Sequence, residues 1–145
     1  MQKINVFNYE FKIEKNDIDE NLHANNVSYI QWMQEAAIAH SSELGLSVYG
    51  YLTSGQSWVV RSHYIEYFKP AFLDDEIVVQ TWVTQIKRTT SNRSYAFFRK
   101  SDKTLLAMAK TFWVYVDIKT GRPTAIPKEL LEKYIPDEEY KPSID

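Results

Sequence analysis

The sequence predicts an α+β domain in which one long helix covers a five-stranded antiparallel sheet. Three observations predict this class: a strand-like alternation near the N-terminus, a single helical stretch of about five turns, and four later runs rich in β-branched and aromatic residues. The connections between those later runs are short, which favours antiparallel neighbours over crossover helices. The order of strand, helix and four strands therefore indicates one sheet with one helix available to cover a face.

Five segments are predicted as strands. In the first, Phe7, Tyr9, Phe11 and Ile13 alternate with polar residues, which is the period of a strand with one buried face. The other four runs are Ser57–Phe68, Glu76–Lys87, Arg93–Lys100 and Thr104–Asp117. Such long aromatic strands leave sheet edges open to association, so we expect a homo-oligomer, either a homodimer or a homotetramer.

The long helix is predicted over Val27–Leu44, where apolar residues recur at helical spacing. Asn25 or Asn26 suits the N-cap position, and Gly45 suits the C-terminal stop. The apolar arc includes Val27, Ile30, Met33, Ala37 and Ile38. The same arc contains Gln34, so a polar side chain is expected on the buried face.

The C-terminal region is predicted to hold one further element. Pro127 sits where a short helix over Lys128–Tyr134 could begin. The charged segment Pro136–Asp145 is then expected to be a flexible tail. No internal repeat or linker is visible, so residues 1–145 are expected to form a single domain.

Composition narrows the class of protein. With 145 residues, 44% hydrophobic and 14% aromatic, the chain is long enough to bury a core of its own. It contains no cysteine, which excludes a thiol nucleophile, disulfides and cysteine-ligated metal centres and favours a cytoplasmic location. The net charge of −2 gives no basic footprint, and no segment has the apolar length of a signal peptide or membrane span. We therefore expect neither nucleic acid nor membrane as a partner.

Residues 17–29 carry the strongest chemical signal. This loop places carboxylates, a histidine and two amides directly before the long helix. The first turn of a helix offers unpaired N–H groups and a positive dipole end, which can hold an oxyanion during acid–base or nucleophilic chemistry. Local sequence alone favours an Asx-turn or capping role for Asp19 over catalysis. A metal site built from Asp17, Asp19 and His23 is disfavoured, because the spacing lacks a specific ligand motif.

The loop and the order of elements resemble the hotdog-fold acyl-CoA thioesterases of the 4-hydroxybenzoyl-CoA thioesterase-like family. In that family the loop commonly reads Asp-x-Asp-x-x-Gly-His-Val-Asn-Asn-x-x-Tyr, and the matching residues here are Asp17, Asp19, His23, Asn25, Asn26 and Tyr29. The chain departs from this pattern at Leu22, where Gly is usual, and at Ala24, where Val is common. Segments 65–75 and 113–127 also resemble the family, so the likeness covers roughly Val6–Leu130.

The resemblance implies a hotdog fold, with the sheet wrapped around one long central helix, and a thioesterase that needs no cofactor. The substrate would be an acyl thioester of CoA, or of acyl carrier protein, and the site would lie at a dimer interface. Asp19 would be the nucleophile or general base, supported by Asp17, while the backbone N–H of Asn26 would face the thioester oxygen. His23 could position Asp19 or bind substrate, or it could hydrogen-bond the loop backbone and hold its shape.

The candidate substrate-binding residues are Asp17, Tyr29, Gln34, Arg88 and Arg93. Tyr29 is expected to pack beneath the loop, and Gln34 is either a satisfied buried amide or a group that orients water. The basic residues Lys87, Arg88, Arg93 and Arg99 could pair with the CoA phosphates or solvate a turn. Of these, Arg88 and Arg93 are the candidates for phosphate.

Two other functions remain open at this stage. A non-catalytic acyl-CoA or acyl-carrier-protein binder would keep the fold and the pocket, although retention of Asp19 argues against it. Hydration of an enoyl-CoA uses the same fold with a different arrangement of Asp and His. The loop matches thioesterases better than either alternative.

Overall fold

The computed structural model describes residues 5–46 and 54–145. The strands are β1 (Val6–Lys12), β2 (Gln56–Tyr67), β3 (Glu76–Ile86), β4 (Thr90–Arg99) and β5 (Leu105–Asp117). The α-helices named among these residues are α1 (Asn26–Glu43) and the short α2 (Lys128–Leu131), and a 3₁₀ helix spans Lys15–Asp17. The strands form an antiparallel sheet in the order β1-β3-β4-β5-β2, which confirms the predicted architecture. No helix within these ranges is long and apolar enough to cross a membrane.

Helix α1 begins and ends where the sequence favours it. Asn25 is the N-cap, because its side chain accepts a hydrogen bond from the Val27 N–H at 2.9 Å. At the other end, Gly45 has a φ of 84°, and the Leu46 N–H donates to the Ser41 carbonyl at 2.8 Å. This is the hydrogen bond of a Schellman motif, and glycine suits the left-handed position because it lacks a Cβ.

Helix α1 packs on one face of the sheet, here called the inner face, with a rotation that differs from the prediction. Its buried residues are Tyr29, Trp32, Met33, Ala36, Ala37 and His40. Three apolar residues predicted to be buried are instead exposed: Val27 (71%), Ile30 (36%) and Ile38 (51%). The rings of Tyr29 and Trp32 set the rotation of α1 about its axis, because they have more apolar area to bury than any aliphatic residue in the helix. Gln34 is exposed for the same reason, so the prediction of a buried amide is wrong.

The C-terminal segment Pro136–Asp145 packs against the opposite, outer face of the sheet. Tyr140 and Ile144 contact a buried cluster on that face, made of Val78, Trp82, Ala96 and Phe98. The side chain of Gln80 donates to the Ser143 carbonyl at 2.7 Å and accepts from the Tyr140 hydroxyl at 3.0 Å. The sequence predicts a flexible tail here, and the structure shows these packing contacts for it. The outer face carries apolar side chains that α1 does not reach, and this segment covers them.

Strand β2 lies at an edge of the sheet. It pairs with β5 on one side, and among the described residues no strand pairs with its other side. Large apolar side chains on or just after β2 are exposed: Val59, Tyr64, Tyr67 and Phe68. An unpaired edge of this length that carries exposed apolar groups is suited to association.

Candidate active site

The loop before α1 is a tight reversal of the chain. Ile18 and Ala24 form an isolated antiparallel bridge, and between them the Asp19 N–H donates to the His23 carbonyl at 2.9 Å. The Leu22 N–H donates to the Asp19 carbonyl at 3.0 Å, and Leu22 has a φ of 64°. The backbone at Leu22 is therefore left-handed, which is the conformation that glycine adopts most easily. This geometry gives a physical reason for the glycine that the resembled family usually has at this position.

The carboxylate of Asp19 is only partly used by the loop. Its Oδ1 atom accepts from the N–H groups of Asn21 at 2.9 Å and His23 at 3.4 Å. The first of these bonds is an Asx-turn, so this part of the local interpretation is correct. The Oδ2 atom accepts no hydrogen bond from the part of the chain that the structure describes. A shallow, open depression lies beside Asp19, lined also by Ile18, Glu20, Asn21 and Asn25.

The helix start presents a free donor close in sequence to Asp19. Asn26 is the first residue of α1, so its N–H has no intrahelical acceptor. The Asn25 side chain caps Val27 instead, and no loop or side-chain acceptor within residues 5–46 and 54–145 takes the Asn26 N–H. The Asn26 carbonyl accepts from the Tyr67 hydroxyl at 3.4 Å. The arrangement thus leaves one N–H of the positive helix end unoccupied.

Asp17 ties the loop to the helix. Its Oδ1 accepts from the Ser28 hydroxyl at 3.3 Å, and its Oδ2 accepts from the Glu14 N–H at 3.0 Å. Its carbonyl accepts from the Asn25 N–H at 2.6 Å. These contacts fix the entry of the chain into α1.

The connection between β2 and β3 contacts the loop before α1 and supports it. The Ala24 N–H donates to the Ala71 carbonyl at 2.8 Å, and the His23 ring meets the Phe72 ring edge-on at 5.4 Å between centroids. Arg99 pairs with Asp75 at 3.0 Å and donates to a carbonyl of the same connection. His23 is exposed, and the contact between its ring and Phe72 is what the structure shows of its side chain. The supporting role of the Asp75–Arg99 pair was not foreseen from the sequence.

Tyr29 packs beneath the loop as expected. Its ring is 3% exposed and meets the rings of Trp32, Tyr67 and Phe97 at centroid distances of 4.9 to 5.0 Å. Burial, with a smaller contribution from the neighbouring Tyr67, raises the pKa of Tyr29 to about 12. The phenol is therefore neutral at physiological pH.

The basic residues do not form the surface cluster that the sequence suggested. Arg88 is exposed in the turn between β3 and β4, and its carbonyl accepts from the Ile126 N–H at 2.9 Å. Arg93 lies on the inner face of β4, is 5% exposed and contacts His40. Arg99 is engaged in ion pairs near the loop. The period of two along β4 explains the difference, because it sends Arg93 into the interior rather than into the turn.

His40 lies on the buried side of α1. It is 1% exposed, and its Nδ1 atom lies 2.9 Å from Nη1 of Arg93. Its position could have been inferred from the spacing, since it follows Met33 by two turns on the aromatic side of α1. In the described part of the chain, no three or more His, Asp or Glu side chains gather as metal ligands would.

A family model described as the Thioesterase-like superfamily matches residues 13–134. The chain is 26% identical over 132 residues to the acyl-CoA thioester hydrolase YbgC of Escherichia coli O157:H7, a match that covers 89% of this chain and 96% of YbgC.

Solved structures of similar fold include a hypothetical protein from Aquifex aeolicus and an acyl-ACP thioesterase from Bacteroides thetaiotaomicron. The first superposes with a TM-score of 0.83 at 26% identity, covering 89% of this chain and 99% of the other. The second has a TM-score of 0.82 at 25% identity and covers 96% of this chain and 58% of the other. These superpositions and the sheet order confirm the predicted hotdog fold.

Proposed function

Because this chain belongs to the Thioesterase-like superfamily, a family of thioester hydrolases that the loop motif predicted, we propose that it hydrolyses an acyl thioester to a free acid and a thiol. The thiol is CoA, or the phosphopantetheine group of an acyl carrier protein. The observation that carries the proposal is the pairing of a partly free Asp19 carboxylate with an unoccupied N–H at the start of α1.

Asp19 is the chemical group of the proposed reaction. Its Oδ2 atom either attacks the thioester carbonyl carbon, which forms a mixed anhydride that water then hydrolyses to release the acid, or removes a proton from the water that attacks that carbon. In both cases the C–S bond breaks and the thiolate leaves with its electron pair, which needs little acid assistance. The Asx-turn through Oδ1 holds the carboxylate in place without occupying the second oxygen.

The Asn26 N–H is the proposed oxyanion donor. As the carbonyl carbon becomes tetrahedral, negative charge gathers on the thioester oxygen, and a helix N-terminus stabilises such charge. One well-aimed donor of this kind lowers a barrier by about 3 to 4 kcal/mol. The side chain of Asn26 has no part in this role, since only the backbone is required.

Asp17, His23 and Tyr29 support the site from behind. Asp17 joins the loop to Ser28 of the helix, and the backbone of His23 closes the turn around Asp19. Tyr29 fills the space beneath with a neutral ring. We therefore assign these residues to positioning rather than to bond making.

A non-catalytic acyl-CoA binder is the second candidate function. It would need the pocket and the helix start but would have no use for a carboxylate with a free oxygen. The unused Oδ2 of Asp19 is the specific feature that favours hydrolysis.

A panel of acyl-CoA substrates of graded length, aliphatic and aromatic, tests the proposal when CoA release is followed with a thiol reagent. We expect at least one member to be hydrolysed far above the spontaneous rate. A second arm uses the same acyl groups on acyl carrier protein. Binding without turnover in both arms would contradict hydrolysis and establish the binder.

A further inference from the structure

An apolar cavity of about 260 Å³ lies between the second half of α1 and the inner face of the sheet. Its apolar walls are Ala37, Ile38, Leu46, Val83, Ile86 and Trp113. Ile38 follows Asn26 by 12 residues, about 18 Å along the helix axis at 1.5 Å per residue. The cavity is therefore at the far end of α1 from the Asp19 loop, and the proposed chemistry does not use it.

A buried arginine lines this apolar cavity. Arg93 is 5% exposed, and its Nη1 atom donates to Nδ1 of His40 at 2.9 Å and to the Thr81 hydroxyl at 3.1 Å. Because Nδ1 of His40 accepts, this ring is neutral in that hydrogen bond. The Tyr134 ring lies 5.8 Å from the guanidinium carbon. All of these partners are uncharged.

No carboxylate pairs with Arg93 in residues 5–46 and 54–145, and residues 1–4 and 47–53 contain no Asp or Glu. An arginine is almost never fully buried without an anionic partner, because the desolvation of its charge is then uncompensated. The cavity thus carries one positive charge, and no carboxylate among the described residues neutralises it.

The free side of the guanidinium has the shape of a carboxylate site. Nη1 is held by His40 and Thr81, and Nε and Nη2 form no hydrogen bond with the described residues. Neither Nε nor Nη2 is fully buried without a hydrogen-bond partner, which distinguishes them from the Tyr95 hydroxyl and the Trp113 Nε1 atom. Nε–H and Nη2–H point the same way and form the fork that binds both oxygens of a carboxylate.

We propose that this cavity binds a small apolar carboxylic acid, with Arg93 as the counter-ion of its carboxylate. The cavity is slightly smaller than the roughly 300 to 1,000 Å³ of pockets for drug-sized ligands, so a medium-length aliphatic or a single-ring acid fits it. Apolar walls disfavour a heavily hydrated phosphate and favour a hydrocarbon body. The carboxylate belongs either to a free acid or to the far end of the acyl group of a substrate.

Calorimetric titration with octanoate and with octanol, its neutral counterpart, tests the proposal on the full chain. Octanoate should bind at least tenfold more tightly than octanol to the unmodified protein. Arg93→Gln should weaken octanoate binding at least tenfold and leave octanol binding unchanged. Arg88→Gln, which removes an exposed arginine of the neighbouring turn, is the matched control and should change neither.

A second variant guards against loss of folding in Arg93→Gln. Ile38→Trp keeps every contact of Arg93 while adding volume at the cavity wall, and it should weaken both ligands. Equal octanoate affinity in the unmodified protein and Arg93→Gln would overturn the proposal. So would an absence of octanoate binding, as when a second copy of the chain fills the cavity, or binding that Ile38→Trp leaves unchanged.

Octanoyl-CoA and the CoA thioester of its ω-carboxylated analogue distinguish the two sources of carboxylate. A selective loss of affinity and of kcat/KM for the ω-carboxylated thioester in Arg93→Gln assigns the cavity to the substrate. An unchanged ratio, together with lost octanoate binding, assigns it to a free acid. The octanoate and octanol titrations can be interpreted even if the protein hydrolyses neither thioester. A failure of the proposed hydrolysis can therefore be distinguished from a failure of the proposed carboxylate site.

Discussion

Leu22 is strained by the turn that presents Asp19. Its φ of 64° lies in the left-handed region, and its side chain is 74% exposed. A left-handed conformation costs a non-glycine residue about 1 to 2 kcal/mol, and an exposed side chain contributes little packing to offset that cost. The conformation of Leu22 is thus set by the backbone of the turn and not by packing of its side chain.

Replacing Leu22 by glycine should therefore stabilise the protein. The relief of strain exceeds the extra chain entropy of glycine, so we expect a gain of about 0.5 to 1 kcal/mol and a rise in Tm of about 1 to 4 °C. Thermal unfolding followed by circular dichroism measures this. Leu22→Ala is the control and should give no gain. A lower Tm for Leu22→Gly would contradict the strain assigned to this residue.

His63 should make the stability of the fold depend on pH. Its Nδ1 atom lies 2.8 Å from the Thr111 hydroxyl, and burial lowers its pKa below the ordinary value of 6.5. The unfolded chain then binds the proton more readily than the folded one, so stability is full above about pH 6.5 and is lost as the pH falls below it. Urea unfolding at pH 7.5 and pH 5 should show a larger loss for the unmodified protein than for His63→Gln. Equal losses would show that His63 does not carry the effect.

At the scale of elements, helix α1 shows what periodicity can and cannot predict. Its ends follow from Asn25, whose side chain caps the first turn, and from Gly45, whose lack of a Cβ allows the left-handed backbone that ends the helix. The rotation of the helix about its axis does not follow from local residues. Two apolar arcs overlap on its surface, and only packing against the sheet selects the arc that contains Tyr29 and Trp32. The prediction for Gln34 was wrong for that reason, because Gln34 lies on the apolar arc that does not face the sheet.

The connection between β2 and β3 is the element that supports the candidate site. Arg99 joins β4 to this connection through Asp75 and the Pro70 carbonyl, and the Ala71 carbonyl receives the Ala24 N–H of the loop. The Asp75 carboxylate also accepts from the Phe72 N–H at 2.9 Å. A substitution of Arg99 on β4 should therefore affect the loop that contains Asp19.

Arg99→Gln should lower the free energy of unfolding by about 1 to 2 kcal/mol, because it leaves the partly buried Asp75 carboxylate without its charged partner. Lys100→Gln is the matched control. Lys100 is the next residue and also forms an ion pair, but its partner Glu10 and its own side chain are about half exposed, so little change is expected. Urea unfolding of both variants measures the difference. Similar losses in the two would remove the supporting role of Arg99.

At the scale of the whole molecule, the sheet, the helix and the loop were predictable because their signals lie in neighbouring residues. The alternation in β1 and the loop motif around Asp19 are local patterns. The packing of Tyr140 on the outer face and the burial of Arg93 were not predictable. Each depends on which face of the finished sheet is left uncovered, which no short stretch of sequence encodes.

The exposed edge of β2 leads us to expect a dimer or a tetramer in solution. Val59 is 45% exposed on this strand, whose outer side has no partner among the described residues. Light scattering after size exclusion at micromolar concentration should show the oligomer, and Val59→Asp should shift it toward the monomer. Asn8→Asp places the same charge on β1, the opposite edge, and should leave it intact. A stable monomer for the unmodified protein would contradict the expected association.

The turnover of Asp19→Asn tests the central claim most directly. The exchange keeps the size of the side chain and an oxygen for the Asx-turn but removes the charge needed for attack or proton removal. We predict that kcat for a hydrolysed acyl-CoA falls at least about a hundredfold while the circular dichroism spectrum stays unchanged. Glu20→Gln, which neutralises the next residue in the same depression, should retain most of the activity. A kcat for Asp19→Asn close to that of the unmodified protein would contradict the assignment of Asp19 as the reacting group.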